Sequence, residues 1–355
     1  MSPVSETKSQ VALLESRHFS ALRTFLQKHP QTTIFQTPEW NQLIEATYGH
    51  QTHYWVVREG EEITGVFPVV AVRYPLLGLK MVAMPYQFHS GLPVANSEQL
   101  ARELIHQAVQ RAKESRAKFL EIRHFEAVPW LEEMGFVKVE SHLVTSSCPL
   151  ANLDLPQIRR NHRRNIRYAA EKGVVISEGN SLSDLRMFQR MYLIEGRQLG
   201  SPQAGWNYFE NHYHIVRPYY RLFLAWVSGV CLGGLLSIDD GRTVFSRCAA
   251  FSSPEALALH VGRALYWKAL TDAAERGCTN FNLGISWDQD KGLIHDKEGW
   301  NATTRAVYLY IYPIRSQPPS PGGYFGGFQL AKATWRRLPL PIVDWAGRQV
   351  TRWIC

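Results

Sequence analysis

The spacing of hydrophobic and polar positions changes several times along this chain, and each change marks an element. "YWVVREGEEITGVFPVVAV" (Tyr54 to Val72) and "FLAWVSGVCLGGLLSI" (Phe223 to Ile238) are apolar runs rich in β-branched and aromatic residues. A turn signal breaks each of them, so each predicts a strand, a tight turn and a second strand. The second run lies in the uncharged stretch Leu222 to Ile238, whose 17 residues are at the lower margin for a membrane span. Gly229, Gly233 and Gly234 fall too close together for a helix, and the stretch reads as a buried hairpin turning at Ser228-Gly229. The same periodicities give the first part of the chain a helix near 38–46 and strands at 53–58, 62–73 and 79–84. A long helix over 97–115, a strand at 118–123, a short helix at 128–134 and a strand at 136–145 follow. The later part gives helices over 154–172, 181–198 and 203–216, then strands at 220–227, 230–238 and 242–250. It closes with a helix over 257–276 and strands at 279–285 and 303–312.

The two hairpins look alike. In each a second glycine follows the turn glycine at the same distance, Gly60 to Gly65 and Gly229 to Gly234. "AKESRAKFLEIR" (Ala112 to Arg123) and "AERGCTNFNLGI" (Ala274 to Ile285) likewise both read as a helix end, a break and a strand. The order is consistent with an internal duplication of about one domain length. Strands, a helix and more strands in each half predict an α/β protein of the α+β kind, each half a mixed sheet flanked by helices. The expected divisions are 1–150, 151–313 and 314–355. The last contains a Pro/Gly-rich linker, "RSQPPSPGGYFGGF", and a tail with three tryptophans and five cations against one acid, Asp344.

A formal net charge of +8 fits an acidic partner such as nucleic acid, anionic lipid or a phosphate-bearing substrate. The five cysteines are scattered without a C-x-x-C pair, which argues against a disulfide framework or a metal site and for a reducing cytoplasm. The start, "MSPVSETKSQ", has no apolar core and reads as no secretory signal. Charge is concentrated in "IRRNHRRNIRYAAEKG" (Ile158 to Gly173), with six cations, His162 and the single acid Glu171. Arg160, Arg163, Arg164 and Arg167 fall at i, i+3, i+4 and i+7, so they share one helix face. Such a face either grips phosphate or pairs with acids elsewhere in the fold.

"FQTPEWNQLIEATYGH" (Phe35 to His50), "RRNIRYAAEKGV" (Arg163 to Val174), "EGRQLGSPQAGWNYFENH" (Glu195 to His212), "ALYWKALTDAAERGCTNFNLGIS" and "GLIHDKEGW" (Gly292 to Trp300) occur in that order. Together they resemble the Fem-type aminoacyltransferases and their FemAB-like or BioF2-like acyltransferase relatives, over roughly residues 35 to 312. The resemblance implies two tandem GNAT-like domains and acyl or aminoacyl transfer to an amine of a cell-envelope or exopolysaccharide precursor. No tightly bound cofactor is implied; the acyl donor is either aminoacyl-tRNA or acyl-CoA. Lys297 matches the family lysine and is implied to stabilise charge near the transferred acyl group, and Trp300 matches the closing aromatic. Asp296 departs from the pattern, standing where the family has phenylalanine. In "LHVGRA" (Leu259 to Ala264), Gly262 and Ala264 fit the acetyl-CoA pyrophosphate loop, whereas Leu259 replaces its Gln or Arg. The departures leave room for a non-catalytic GNAT-like module that binds tRNA or an anionic glycan or lipid.

Other side chains carry candidate chemistry on their own account. In "VFSRCAAF", Arg247 is costly inside a central strand unless it meets a cleft or an acid, and Ser246 points to the other face. Asn282, Ser286 and Asp288, in "NLGISWDQD" at a strand end, either orient the accepting amine or form a turn. His260 either takes a proton from the amine or is structural. Glu195 and Arg197 either bind substrate or form ion pairs. The tail, residues 328–355, either contacts the inner face of a membrane through Trp335, Trp345 and Trp353 with their neighbouring arginines, or packs back on the domain.

Overall fold

Local capping signals set where the elements begin and end. Thr37 accepts a hydrogen bond from the Trp40 N–H, Pro38 occupies the first turn, and Gly49 in the left-handed region closes the helix. Ser181 and Asp184 form a capping box, and Gly200 ends the helix that follows. The computed structural model describes residues 9–74, 78–87, 90–151, 153–251, 253–317 and 329–353. The first eight residues, most of the proposed linker and Cys355 lie outside them. Two compact units emerge, dividing at Ser141/His142 and Ala306/Val307; the described tail belongs to the second.

In chain order the first unit begins with β1 (Gln10–Leu13), α1 (Phe19–Lys28), α2 (Pro38–Tyr48), β2 (Gln51–Glu59), β3 (Glu62–Tyr74) and β4 (Gly78–Ala83). It continues with β5 (Val94–Ala95), α3 (Glu98–Glu114), β6 (Phe119–His124) and α4 (Pro129–Glu133). Next come β7 (Val137–Pro149), α5 (Arg160–Glu171), β8 (Val175–Glu178), α6 (Leu182–Leu199), α7 (Trp206–Ile215), β9 (Tyr220–Val227), β10 (Val230–Asp239) and β11 (Thr243–Phe251). Then follow α8 (Pro254–Ala258), α9 (Val261–Glu275), β12 (Asn280–Trp287), α10 (Lys291–Glu298), β13 (Thr303–Pro313), α11 (Gln329–Trp335) and α12 (Leu340–Thr351).

The first unit orders its strands β1-β2-β3-β4-β6-β13, with β5 on β3. All its pairings are antiparallel except β4 with β6, which α3 connects. The second orders them β7-β12-β11-β10-β9-β8, again with one parallel pair, β11 with β12, connected through α8 and α9. The duplicated order read from the sequence is therefore present as a repeated mixed sheet. The uncharged run is the hairpin β9–β10, with Ser228 and Gly229 both at positive φ, as a tight hairpin turn requires. Among the described residues no helix is long and apolar enough to cross a membrane.

Apolar side chains on the inner faces make the cores. In the first unit, Val57, Phe67, Met81, Leu104, Leu120 and Ile122 pack between sheet and α3. In the second, Phe223, Leu235, Leu265, Leu270, Phe281 and Trp300 do so around α9. The first core also buries charge. Glu121 accepts from Arg123 Nε at 2.8 Å and lies 3.8 Å from Lys80 Nζ, so none of the three is buried unpaired.

Some expected bounds move. α5 starts at Arg160 because Pro156 sits in a separate short turn. The helix expected over 257–276 breaks at His260, whose left-handed backbone separates α8 from α9. β8 is a four-residue strand with no strong pattern, and α10 is a short helix containing Gly292; neither signalled itself.

Candidate active site

The candidate site forms where two strands part. β11 and β12 pair only through Thr243–Phe245 and Asn280–Asn282. Beyond that point each carries a bulge. On β11, Leu236 faces Cys248 and Ser237 faces Ser246, leaving Arg247 as the extra residue. On β12 the register jumps from Asn282↔Ser147 to Ile285↔Thr145, so Leu283 and Gly284 are set against one residue of β7. Gly284 has φ 76°, a conformation that side-chain-bearing residues rarely adopt. Asn282 holds the bulge from both ends: its Oδ1 accepts from Gly284 N–H (2.8 Å), and its Nδ2 donates to Thr145 Oγ1 (3.2 Å). Asn282 is thus accounted for as the brace of the bulge.

The bulge aims two carbonyls at Lys297. The Lys297 Nζ donates to Gly284 O at 3.0 Å and Ile285 O at 2.8 Å, and the residue is 8% exposed. Burial pulls its pKa down to about 8, against the opposing charge of Asp296. At neutral pH it remains mostly charged, with two of its three N–H groups committed to backbone. Across the parting, Ser246 shares a 3.3 Å hydrogen bond with the hydroxyl of the half-buried Tyr266, and the Ser246 carbonyl faces Gly284. Burial raises the Tyr266 pKa, so this phenol stays protonated.

Asp296 is gripped from two other elements. Arg263, in the first turn of α9, donates to it through both terminal nitrogens, one hydrogen bond measuring 2.8 Å. His162 of α5 approaches with Nε2 at 3.4 Å. Burial alone would raise the Asp296 pKa, but the hydrogen bonds from His162 and Arg263, with their charges, outweigh it and bring it to about 2. Beneath the cluster lies Trp300, its ring 4.8 Å from His162 and 5.7 Å from the Arg263 guanidinium. Asp296 therefore ties α5, α9 and α10 together beside Lys297.

α5 lies against the helices that carry these groups. Arg159 N–H donates to Gly299 O, and the Arg159 side chain donates to His295 O at 2.6 Å, bracing the end of α10. His162 and Ala169 face inward, while Arg160, Arg164 and Arg167 are exposed and Arg163 is half-buried. Among the described residues no carboxylate pairs with any of the four. Four cations on one face without internal counter-charge leave room for an external anion. His260, the residue before α9, packs edge-on to Tyr168. Burial and the nearby Arg263 and Arg164 charges lower its pKa, so it is neutral at pH 7.

The remaining expected residues lie elsewhere or hold structure. Trp300, expected to touch substrate, is 2% exposed and sealed under His162 and Arg263. Asp288 accepts from His142 at 3.0 Å and Ser286 is buried next to it on β12. Arg197 donates to Leu338 O in the tail. A Cβ at Gly262 would press on the Phe251 ring, so this glycine lets α9 approach β11; Ala264 follows it in the same turn. Leu259, half-buried, packs against the core beside them. The helix end at the first turn of α9, with the Arg164 charge near it, suits an anion. On the opposite side of β11, Arg247 neighbours Tyr208 and His212 of α7, and its charge together with burial lowers the His212 pKa to about 3. Glu195 nearby accepts from Phe251 N–H (3.3 Å), and burial raises its pKa. The Arg263–Asp296–His162 cluster and Tyr266 were not singled out by sequence; the one signal was Asp296 standing where the family pattern has an aromatic.

A family model described as an acetyltransferase (GNAT) domain matches residues 156–292. No curated protein sequence matches the chain. Among solved structures, FemX is 16% identical with a TM-score of 0.67, the match covering 86% of this chain and 98% of FemX. The C-terminal domain of a putative lysylphosphatidylglycerol synthetase from Agrobacterium fabrum is 12% identical with a TM-score of 0.56, over 84% of this chain and 92% of that one. A tandem GNAT protein from the clavulanic acid biosynthesis pathway is 11% identical with a TM-score of 0.54, over 85% and 98%. The fold is thus the tandem GNAT-like one that the Fem resemblance implied.

Proposed function

We propose that the protein is an N-acyltransferase whose second unit joins an activated acyl group to an amine of an anionic, phosphate-bearing precursor of the cell envelope or of an exopolysaccharide. The observation that carries this reading is the buried, charged Lys297, held by two carbonyls of the β12 bulge where β11 and β12 part. The amine lone pair forms the new C–N bond at the acyl carbon, and negative charge develops first on the carbonyl oxygen. Collapse breaks the bond to the leaving ribose oxygen or thiolate, and the nitrogen releases its proton. The remaining N–H of Lys297 stabilises the oxygen that gains charge. Neutral His260 is a proton acceptor close to the α9 end.

The four arginines of α5 hold phosphate, either of a tRNA backbone or of the acceptor. The tight contact of Gly262 with Phe251, and a half-buried leucine at 259 in place of Gln or Arg, favour aminoacyl-tRNA over acyl-CoA as donor. That donor places the reaction in the cytoplasm.

Direct binding of aminoacyl-tRNA and of acetyl-CoA at two salt concentrations tests this, with wild type and Arg163→Ala/Arg167→Ala. The tRNA is expected to bind more weakly at higher salt, and the variant to flatten the log–log salt slope by roughly 1 to 2. Binding of acetyl-CoA alone would overturn the tRNA donor and leave the arginines to the acceptor. Binding without transfer from either donor, with affinity unchanged in Lys297→Met, would instead identify a non-catalytic binding module.

A further inference from the structure

The tail's second helix, α12, is docked on the second unit through one face. Val343 and Gly347 are buried. The Asp344 carboxylate accepts from Gln189 Nε2 at 2.9 Å and from the Trp206 N–H at 3.0 Å, at the start of α7. The contact is close enough that a Cβ at Gly205 would press on Asp344 and Arg348, and one at Gly347 on Gln203. The single acid of the tail is therefore turned inward and paired.

The opposite face, with Arg348 at its edge against Gly205, has a different chemistry. Ile342, Trp345, Arg348, Gln349 and Arg352 fall at i, i+3, i+6, i+7 and i+10, all within about 60° of Trp345 around the helix. Trp345 is 66% exposed and Ile342 46%, and Arg348 beside them is exposed. Arg337, just before the helix, is also exposed, and Arg352 lies 5.7 Å from the Trp353 ring. Large apolar side chains stand in water among cations, on a helix whose inner face is fixed.

We propose that this outer face of α12 docks on an anionic lipid bilayer. Trp345 and Ile342 enter the boundary between headgroups and acyl chains, while Arg337 and Arg348 meet lipid phosphates. A tryptophan that shares a helix face with arginines matches that boundary, because indole partitions there and guanidinium pairs bidentately with phosphate. The helix has 12 residues and lies along the protein, so the contact is peripheral, in the plane of the interface. The inference rests on the tail alone and stands whichever donor the transfer site takes.

The test is flotation of the full chain with vesicles of phosphatidylcholine, or of phosphatidylcholine with phosphatidylglycerol. Wild type is expected to bind only the anionic vesicles, and to lose about tenfold in partitioning at high salt. Trp345→Ala/Ile342→Ala is expected to lose at least about tenfold at low salt, and Arg337→Gln/Arg348→Gln to lose the salt dependence. These side chains are exposed, so unchanged thermal unfolding verifies that the variants are folded. Equal partitioning of wild type and Trp345→Ala/Ile342→Ala, or no binding to anionic vesicles, overturns the proposal. Self-association abolished by Trp345→Ala, without vesicle binding, overturns it in favour of a second copy of the chain.

Discussion

Lys297 and Asp296 are neighbours in sequence with opposite electrostatic situations. Lys297 is charged in a place that disfavours charge, so its pKa falls to about 8. Between pH 8 and the ordinary lysine range of about 10.4 the unfolded chain therefore binds more protons than the folded one, and stability from this group rises with pH. Below pH 8 the cost is complete, roughly 3 kcal/mol. Competitive labelling of lysines with acetic anhydride across pH is expected to report one amine titrating near 8; a value near 10.4 for Lys297 would refute the buried arrangement. If transfer requires the charged form, the rate falls above pH 8 in wild type, and Lys297→Met loses about 100-fold or more at neutral pH. Asp296 has the reverse sign. Its pKa of about 2 lies below the unfolded value, so its stabilisation is present above about pH 4 and is lost as pH falls toward 2. With a third of the side chain exposed, Asp296→Asn is expected to cost about 1–2 kcal/mol at pH 7 and much less at pH 2, read by urea denaturation at both pH values.

At the scale of elements, what was legible in the sequence and what was not follow from one distinction. Hairpins, long amphipathic helices and the single-signed α5 face are local patterns, and the structure has them, with the starts of α5 and α9 moved. The bulges on β11 and β12 are not local patterns. Arg247 reads as an inward residue of a regular strand, and only the register against β10 makes it the extra residue. Gly284 carries no local signal of its own, yet its left-handed backbone sits in the bulge whose two carbonyls meet Lys297. Gly284→Ala is therefore expected to destabilise by about 1–2 kcal/mol and to raise the Lys297 pKa toward its ordinary value by loosening the site. Urea denaturation and the labelling titration together check this; loss of stability with an unchanged Lys297 pKa would separate the bulge from the lysine. The Asp296 clamp was hidden for a similar reason. His162, Arg263 and Asp296 are far apart in sequence, and no spacing rule connects a basic helix, a helix start and a short helix that itself lacked a signal.

For the whole molecule, composition announced a cationic chain but not where the tail's one acid would turn. Asp344 decides how the tail is to be understood: a lone carboxylate in a basic, tryptophan-rich segment, committed to Gln189 and the start of α7. Arg197 and Arg336 add hydrogen bonds across the same contact, from α6 to Leu338 O and from the residue after α11 to Gln198 O. The tail is thus part of the second unit's stability as well as a surface of it. Removing residues 329–355 would uncover the seat of Val343 and leave the Trp206 N–H and the Gln189 amide without Asp344. Burial of one such side chain contributes about 1.5–3 kcal/mol, and each lost hydrogen bond about 1 kcal/mol. The truncated chain is expected to unfold at lower urea, by roughly 3–5 kcal/mol in the second unit. Tryptophan fluorescence during urea titration measures it, since Trp206 lies beside the vacated site. A truncated chain that unfolds like wild type would mean that α12 rests on α6 and α7 without stabilising them. If the loss is as large as expected, failure of a truncated chain to bind vesicles says nothing about lipid, and only the exposed substitutions on α12 separate anchoring from folding.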